Sequence, residues 1–118
     1  MSVNNRSEIE VLRRRIDFEE VRKRGRRSHP APWLILNQWI RIDGQRRYGF
    51  VIPKKVGSAV LRNRIRRILR ESLKRTFSKE GIPSQDVVFV VKPGFIDRLK
   101  KLNGSDVQKI LEKIFERR

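Results

Sequence analysis

Arginine offers the most chemistry in this chain, and it is concentrated in two segments. The 118 residues carry 30 Lys and Arg against 13 Asp and Glu, a formal net charge of +17. Residues 54–75 hold nine basic side chains and one acid, and residues 13–27 hold eight basic side chains and three acids. A guanidinium group matches phosphate oxygens and stacks on bases. A solvated face usually interleaves acids with bases, so nucleic acid is the favoured partner.

Catalysis by the polypeptide itself is poorly supported. The acidic residues are scattered along the chain. No two of them are predicted to lie in environments that would give one the pKa of a general acid and the other that of a general base. His29 precedes Pro30 in a predicted loop, where a solvated imidazole is expected rather than a general base. With no cysteine and one histidine, disulfides, thiolate zinc sites and imidazole metal sites are excluded. Glycines form no phosphate loop. We expect no small-molecule substrate.

The apolar segments of the sequence indicate where in the cell the protein is expected. The longest apolar runs are far shorter than the ~20 residues of a membrane span. The N-terminus lacks the apolar core of a signal peptide. We therefore expect a cytoplasmic protein with no membrane partner.

A helix over residues 58–77 is the element that would position the second basic segment. Ser58 is the expected N-cap, and neither proline nor glycine follows until Gly81. Helical spacing groups one apolar face from Leu61, Ile65, Ile68, Leu69, Ser72 and Thr76. The opposite face carries Asn63, Arg66, Arg67, Arg70 and Lys74. The basic face would form a rail of roughly 16 Å that can follow phosphates.

The first half of the chain predicts a short helix followed by two strands. Asp17 is the expected cap of a helix that ends at Gly25, where a left-handed residue is favoured. Residues 33–42 alternate in the manner of a strand. Asp43–Gly44 is a hairpin signal, so residues 48–52 should return antiparallel beside that strand.

The second half predicts a central strand and a final helix. Residues 86–92 are mostly Val and Phe without alternation, which is typical of a strand buried on both faces. Asn103 or Ser105 would cap the last helix. We expect residues 1–16 to be a mobile basic arm and residues 17–118 to form a single RNA-binding domain.

Aromatic side chains could add base stacking to phosphate contact. Phe18 lies beside the first basic segment and is the aromatic that we expect to stack unpaired bases. Trp33 and Trp39 could do the same from a strand, although burial is the favoured role for both.

Residues 54–70, KKVGSAVLRNRIRRILR, closely resemble the protein component of bacterial ribonuclease P. The resemblance extends to Asp17–Phe18 before the first helix, to Arg62–Asn63–Arg64 with its trailing Arg66–Arg67, and to VVFVVKPG at residues 87–94. It implies an α+β fold, a two-layer sandwich of about four strands against helices. The implied order is α-β-β-β-α-β-α, with the basic helix as a crossover.

The resemblance also implies a division of labour with RNA. A catalytic RNA would use bound Mg²⁺ to cleave precursor tRNA and release the 5′ leader, while the polypeptide supplies no catalytic group and binds no cofactor alone. The residues expected at the RNA interface are Lys54, Lys55, Arg62, Asn63, Arg64, Arg66, Arg67, Arg70 and Lys74. The cleft for the leader would be formed by Phe18, Arg22, Trp33 and Leu36.

Two positions depart from what the family often has. Arg22 and Leu36 stand where related chains often carry further aromatics. We therefore expect weaker stacking and stronger phosphate contact in the cleft.

The main alternative is a ribosomal protein or general RNA chaperone, which would share charge, size and compartment. The packed basic helix beside an aromatic-lined sheet favours ribonuclease P. DNA binding ranks third, because a helix this densely cationic contacts phosphates rather than reading sequence.

Overall fold

A five-stranded mixed sheet with helices on both faces forms the fold in the computed structural model, which describes residues 9–79 and 81–115. The α+β class and the order of the main elements are confirmed, and the sheet has one strand more than expected. The elements are β1 (Glu10–Val11), α1 (Arg15–Arg24), β2 (Arg26–Ala31), β3 (Leu34–Ile40), β4 (Arg47–Val51), a 3₁₀ turn (Lys54–Val56), α2 (Ala59–Phe77), β5 (Gln85–Val91), α3 (Ile96–Lys100) and α4 (Gly104–Phe115).

The strands lie in the order β1-β4-β5-β3-β2. β5 pairs antiparallel with β3 and parallel with β4, to which it is joined through α2. The predicted hairpin is therefore wrong: β4 does run opposite to β3, but β5 lies between them. Asp43–Gly44 does make the turn, with Gly44 at φ 82°. A turn reverses the chain locally, whereas the apolar β5 gains most from the central place, where both of its faces are covered.

Helix α2 packs onto one face of the sheet as its sequence predicts. The Ser58 hydroxyl accepts a hydrogen bond from the Leu61 amide at 3.1 Å, which confirms the N-cap. All six residues of the predicted apolar face are buried, and Leu73 and Phe77 extend that face. α4 packs beside α2 in the same core, and the Asn103 side chain caps α4 by accepting from the Asp106 amide at 2.9 Å.

Helix α1 lies on the opposite face of the sheet and differs from the prediction at both ends. It begins at Arg15, so Asp17 belongs to its first turn rather than capping it. Gly25 has φ −87°, which is not left-handed. Glycine is required at position 25 because the backbone of neighbouring segments comes very close: a Cβ there would lie 2.5 Å from the carbonyl oxygens of Val21 and Gln38.

The folded domain starts earlier than residue 17. β1 pairs parallel with β4, and Leu12 is buried against Val21 and Val88 on the α1 side of the sheet. Residues 1–8 of the predicted arm lie outside the described residues. Two apolar positions are too few to reveal a strand by periodicity, so this edge strand could not be predicted.

Candidate RNA interface

The basic face of α2 carries positive charge that no carboxylate neutralises within the described residues. Lys54, Lys55, Arg67 and Lys74 are exposed, and Arg70 is half-buried. The ion pairs of the described residues involve Arg14, Arg15, Arg24, Arg41, Arg47 and Lys79. None of these cations belongs to α2. Even Glu71, the one acid in the helix, forms no ion pair with a described residue.

Two further α2 arginines bond to neutral acceptors and keep their charge uncompensated. Arg62 Nε donates to the Gly57 carbonyl at 3.2 Å, and Arg66 Nη1 donates to Asn63 Oδ1 at 2.9 Å. The second bond spans one helical turn and orients Arg66 along the basic face. The basic face of α2 therefore keeps its positive charge without an ion pair among the described residues.

Arg64 differs from its neighbours because its guanidinium reaches the end of another helix. Arg64 Nη1 donates to the Leu99 carbonyl at 3.4 Å, and Nη2 donates to the Leu102 carbonyl. These carbonyls lie at and just beyond the C-terminal end of α3, and the Leu99 carbonyl also accepts from the Leu102 amide at 3.2 Å. Arg64 thus links α2 to the C-terminal end of α3. The sequence pattern predicted RNA contact for Arg64 and did not indicate this structural role.

A groove of about 240 Å³ lies between α1 and the opposite face of the sheet. Phe18 and Arg22 contribute from α1, one turn apart, and Asn37, Val51, Val88 and Val90 form the floor. The half-buried Phe18 ring packs directly on Gly49, where a Cβ would lie 2.5 Å from the ring. Arg15 and Glu19 also line the groove and pair with each other at 3.4 Å. Arg22 therefore supplies the uncompensated positive charge of this site among the described residues.

The predicted cleft positions of Trp33 and Leu36 are corrected by the structure. They are 1% and 0% exposed and pack in the core that α2 and α4 cover. Because side chains alternate along a strand, Leu36 shares the α2 face with Leu34, and Asn37 takes the groove face. Of the four predicted cleft residues, the structure brings Phe18 and Arg22 together.

An ion cluster at one end of the sheet was not predicted. Asp86, at the start of β5, is 0% exposed and accepts from Arg47 Nη2 at 2.7 Å and from Arg41 Nη1 at 3.1 Å. Arg47 also lies 3.8 Å from Asp17 of α1, and Arg41 pairs with Asp43 at 2.6 Å. The hydrogen bonds that Arg47 donates to Asp86 raise the pKa of Arg47, and those that Arg41 donates to Asp43 lower the pKa of Asp43 to about 2.

A larger cavity of about 740 Å³ lies between β2 and α4. It is lined in part by His29, which lies in β2 rather than in the predicted loop, and by Lys109 and Lys113. No residue predicted to bind RNA lines it.

Comparison with known proteins decides the family. A family model described as ribonuclease P matches residues 7–117. This chain belongs to the ribonuclease P protein family. The ribonuclease P protein component of Gluconacetobacter diazotrophicus is 37% identical over 103 residues, covering 86% of this chain and 88% of the relative. That of Dictyoglomus thermophilum is 38% identical over 111 residues, covering 92% and 87%.

Solved ribonuclease P proteins have the same fold. The Thermotoga maritima protein bound to 1-(4-fluorophenyl)-2-thiourea has a TM-score of 0.75 and 25% identity, covering 91% of this chain and 98% of that one. The Staphylococcus aureus protein has a TM-score of 0.72 and 24% identity, covering 92% and 94%. Membership makes this chain the protein component of a tRNA-processing ribonucleoprotein endonuclease. It favours the first interpretation over a ribosomal protein or RNA chaperone.

Within residues 9–79 and 81–115, no helix combines the length and the apolar character that crossing a bilayer demands.

Proposed function

We propose that this ribonuclease P protein binds the catalytic RNA through the basic face of α2 and the 5′ leader of precursor tRNA through the groove beside α1. In doing so it promotes 5′-end maturation of tRNA. The observation that carries the proposal is the absence of any carboxylate paired with α2 among the described residues. A folded RNA would supply the missing negative charge.

Electrostatics supports phosphate as the ligand of this face. Like charges three and four residues apart on a helix destabilise it by about 0.2–0.5 kcal/mol per pair. Without bound RNA, this repulsion persists among Arg66, Arg70 and Lys74. Each phosphate that they neutralise releases counterions from the RNA, and this release drives binding at low salt.

The groove offers a different chemistry, suited to unpaired nucleotides. Phe18 presents a half-buried ring for stacking, which is worth about 1–3 kcal/mol per base. Arg22 stands one turn along α1 and can contact the backbone of the same strand. Single-stranded RNA exposes its bases for such stacking, whereas a duplex hides them. The leader is the part of the precursor that this site would distinguish from mature tRNA.

We assign the bond cleavage itself to the RNA and its Mg²⁺ ions. In the described residues, no group of three or more His, Asp or Glu side chains could hold a metal ion. The buried Asp86 has its two oxygens occupied by Arg41 and Arg47, so it is not available as a general base. In this proposal the polypeptide contributes binding and orientation, and the RNA performs the bond breaking.

Reconstitution tests this function directly. The full chain is mixed with a bacterial ribonuclease P RNA, and leader removal is measured on precursor tRNA at low magnesium. We expect faster cleavage than with RNA alone and tighter binding of precursor than of mature tRNA. An unchanged rate together with equal affinities would overturn the proposal.

A further inference from the structure

The cavity between β2 and α4 has no part in the proposed function, and its lining combines apolar surface with positive charge. Its volume of about 740 Å³ lies within the roughly 300–1,000 Å³ of pockets that bind small molecules. Pro30, Ile110 and Ile114 supply apolar surface, and Lys109 and Lys113 lie beside the two isoleucines on α4. A lining of this kind suits a ligand that has an apolar body and an anionic group.

Helix α4 presents its side of the cavity as two rows, because residues four apart share one side of a helix. Ile110 and Ile114 form a half-buried row that packs against the edge of the core. Lys109 and Lys113 form the adjacent, exposed row. Neither lysine has an ion pair among the described residues. Two like charges at this spacing repel each other, and a bound anion would relieve that repulsion.

The carboxylate that lines the cavity does not neutralise these lysines. Glu112 lies three residues from Lys109, but it accepts from Lys79 at 3.1 Å and from Gln108 at 3.4 Å. The bonds from Lys79 and Gln108 lower the pKa of Glu112. Its charge is therefore compensated by Lys79, and the charges of Lys109 and Lys113 remain for a ligand.

Strand β2 turns three successive residues towards the cavity. Neighbours in a regular strand point to opposite faces. The register of β2 against β3 shifts between Ser28 and Ala31, and Ser28, His29 and Pro30 all line the cavity. Irregularities of this kind re-aim side chains. The buried Ser28 Oγ has no hydrogen-bond partner among the described residues, so no bond fixes its rotamer and the hydroxyl can turn to a ligand.

The composition of the lining favours a small acid over nucleic acid. None of the described residues that line the cavity is Arg, Phe, Tyr or Trp, the side chains that bind phosphate bidentately or stack on bases. Lysine is a compact point charge that a carboxylate satisfies. Ser28 Oγ forms no hydrogen bond to His29, so the cavity holds no paired nucleophile and base. The acid is therefore a ligand and not a substrate.

We propose that this cavity binds a small organic acid. Its apolar body lies on Ile110 and Ile114, and its carboxylate accepts from Lys109, Lys113 and the Ser28 hydroxyl. The inference goes beyond the proposed function, because none of these residues belongs to the basic face of α2 or to the groove beside α1.

Titration of the full chain with cinnamate, followed by the NMR shifts of backbone amides, tests the site. We expect saturation with a dissociation constant of about 1 mM or tighter, and shifts at residues 28–30 and 109–114. Cinnamamide lacks the charge and acetate lacks the apolar body. Each should bind at least about fivefold more weakly than cinnamate.

Three variants assign the binding to named side chains. Lys109→Ala with Lys113→Ala should weaken cinnamate binding by about tenfold. Lys100→Ala with Lys101→Ala is the matched control, because it removes the same charge from two exposed lysines at the end of α3 and should change affinity by less than about twofold. Ser28→Ala should weaken binding by about threefold without lowering the thermal midpoint, since Oγ makes no bond in the protein without ligand.

Equal losses for the two lysine pairs would show that cinnamate follows net charge, and this result would overturn the proposal. Amide shifts confined to the groove beside α1 would overturn it as well. Equilibrium dialysis with a bacterial ribonuclease P RNA gives the last outcome. Cinnamate should stay bound when the RNA is added, whereas its displacement would assign the cavity to RNA and refute a separate site.

Discussion

Two groups of arginines in this protein have opposite surroundings. At the end of the sheet, Arg41 and Arg47 grip the buried carboxylate of Asp86. On α2, Arg67 and Arg70 have no hydrogen bond or ion pair with any described residue. Structural charge and charge available to a ligand are therefore distinguished by the partner of each arginine, and not by how many arginines lie close together.

The two groups differ in what their removal should change. Breaking a buried charge pair leaves an uncompensated charge in a poorly solvated place and costs about 3–5 kcal/mol of stability. Removing an unpaired surface charge changes stability by less than about 0.5 kcal/mol. Its effect should fall on RNA binding instead. Folding and binding measurements on matched variants can therefore test the division.

Asp86→Asn is expected to change the free energy of unfolding, and this is the largest effect among the variants. The variant leaves Arg41 and Arg47 without their shared carboxylate and should lose about 3 kcal/mol of unfolding free energy. Urea denaturation measures this loss, and the salt dependence of RNA binding should not change. A loss below about 1 kcal/mol would show that the ion cluster contributes little to the stability of the fold.

The double variant Arg67→Ala with Arg70→Ala should show the reverse behaviour. Two lost phosphate contacts should reduce the slope of log affinity against log salt by roughly 1.5 to 2. The urea midpoint should stay close to that of the unmodified protein. Lys109→Ala with Lys113→Ala removes the same charge from α4 and serves as the control. Equal slopes for the two double variants would mean that α2 acts only through net charge.

Gly49→Ala sharpens the comparison by disturbing the groove without altering charge. The new methyl would overlap the far edge of the Phe18 ring, which can move by rotation. We expect affinity for precursor tRNA to fall about three- to tenfold, the loss of about 1 kcal/mol of stacking. Binding of mature tRNA is the control and should be unaffected. Equal losses for both RNAs would assign Phe18 to the core.

The smallest effect is the acid response of Asp43. The bond from Arg41 lowers the pKa of Asp43 from 3.8 to about 2 in the folded protein. Because the folded pKa is depressed, the stability from this pair is present above pH 4 and is lost as the pH falls through 2. NMR titration of the carboxyl carbon should give a midpoint near 2. A midpoint near 3.8 would show that Arg41 does not hold this carboxylate in solution.

The sequence predicts those parts of the molecule that follow from local periodicity. Ser58 and the apolar face of α2 are as expected because cap and period act within one helix. The position of β5 between β3 and β4 was missed because strand pairing is decided by distant residues. The ion cluster was not predicted for the same reason, since Asp86 follows Arg41 by 45 positions and Arg47 by 39.

The candidate site also has one part that local sequence spacing predicts and one part that depends on distant residues. The basic face of α2 could be read from spacing, whereas the groove needed the relative placement of a helix and three strands. Alternation along β3 could have singled out Asn37, since it falls on the face opposite the buried Leu34 and Leu36. Nothing in the local pattern separates Arg64 from Arg66, because the carbonyls that Arg64 contacts lie more than 30 positions away.

The central place of β5 also governs how the chain reaches its native state. β3 and β4 each depend on a strand that is synthesised after the whole of α2, so neither acquires its inner neighbour early. Contacts between residues so far apart along the chain slow the search for the native arrangement. A nascent chain that stops before residue 85 lacks the middle of its sheet, and the sheet should therefore assemble only after β5 has been synthesised.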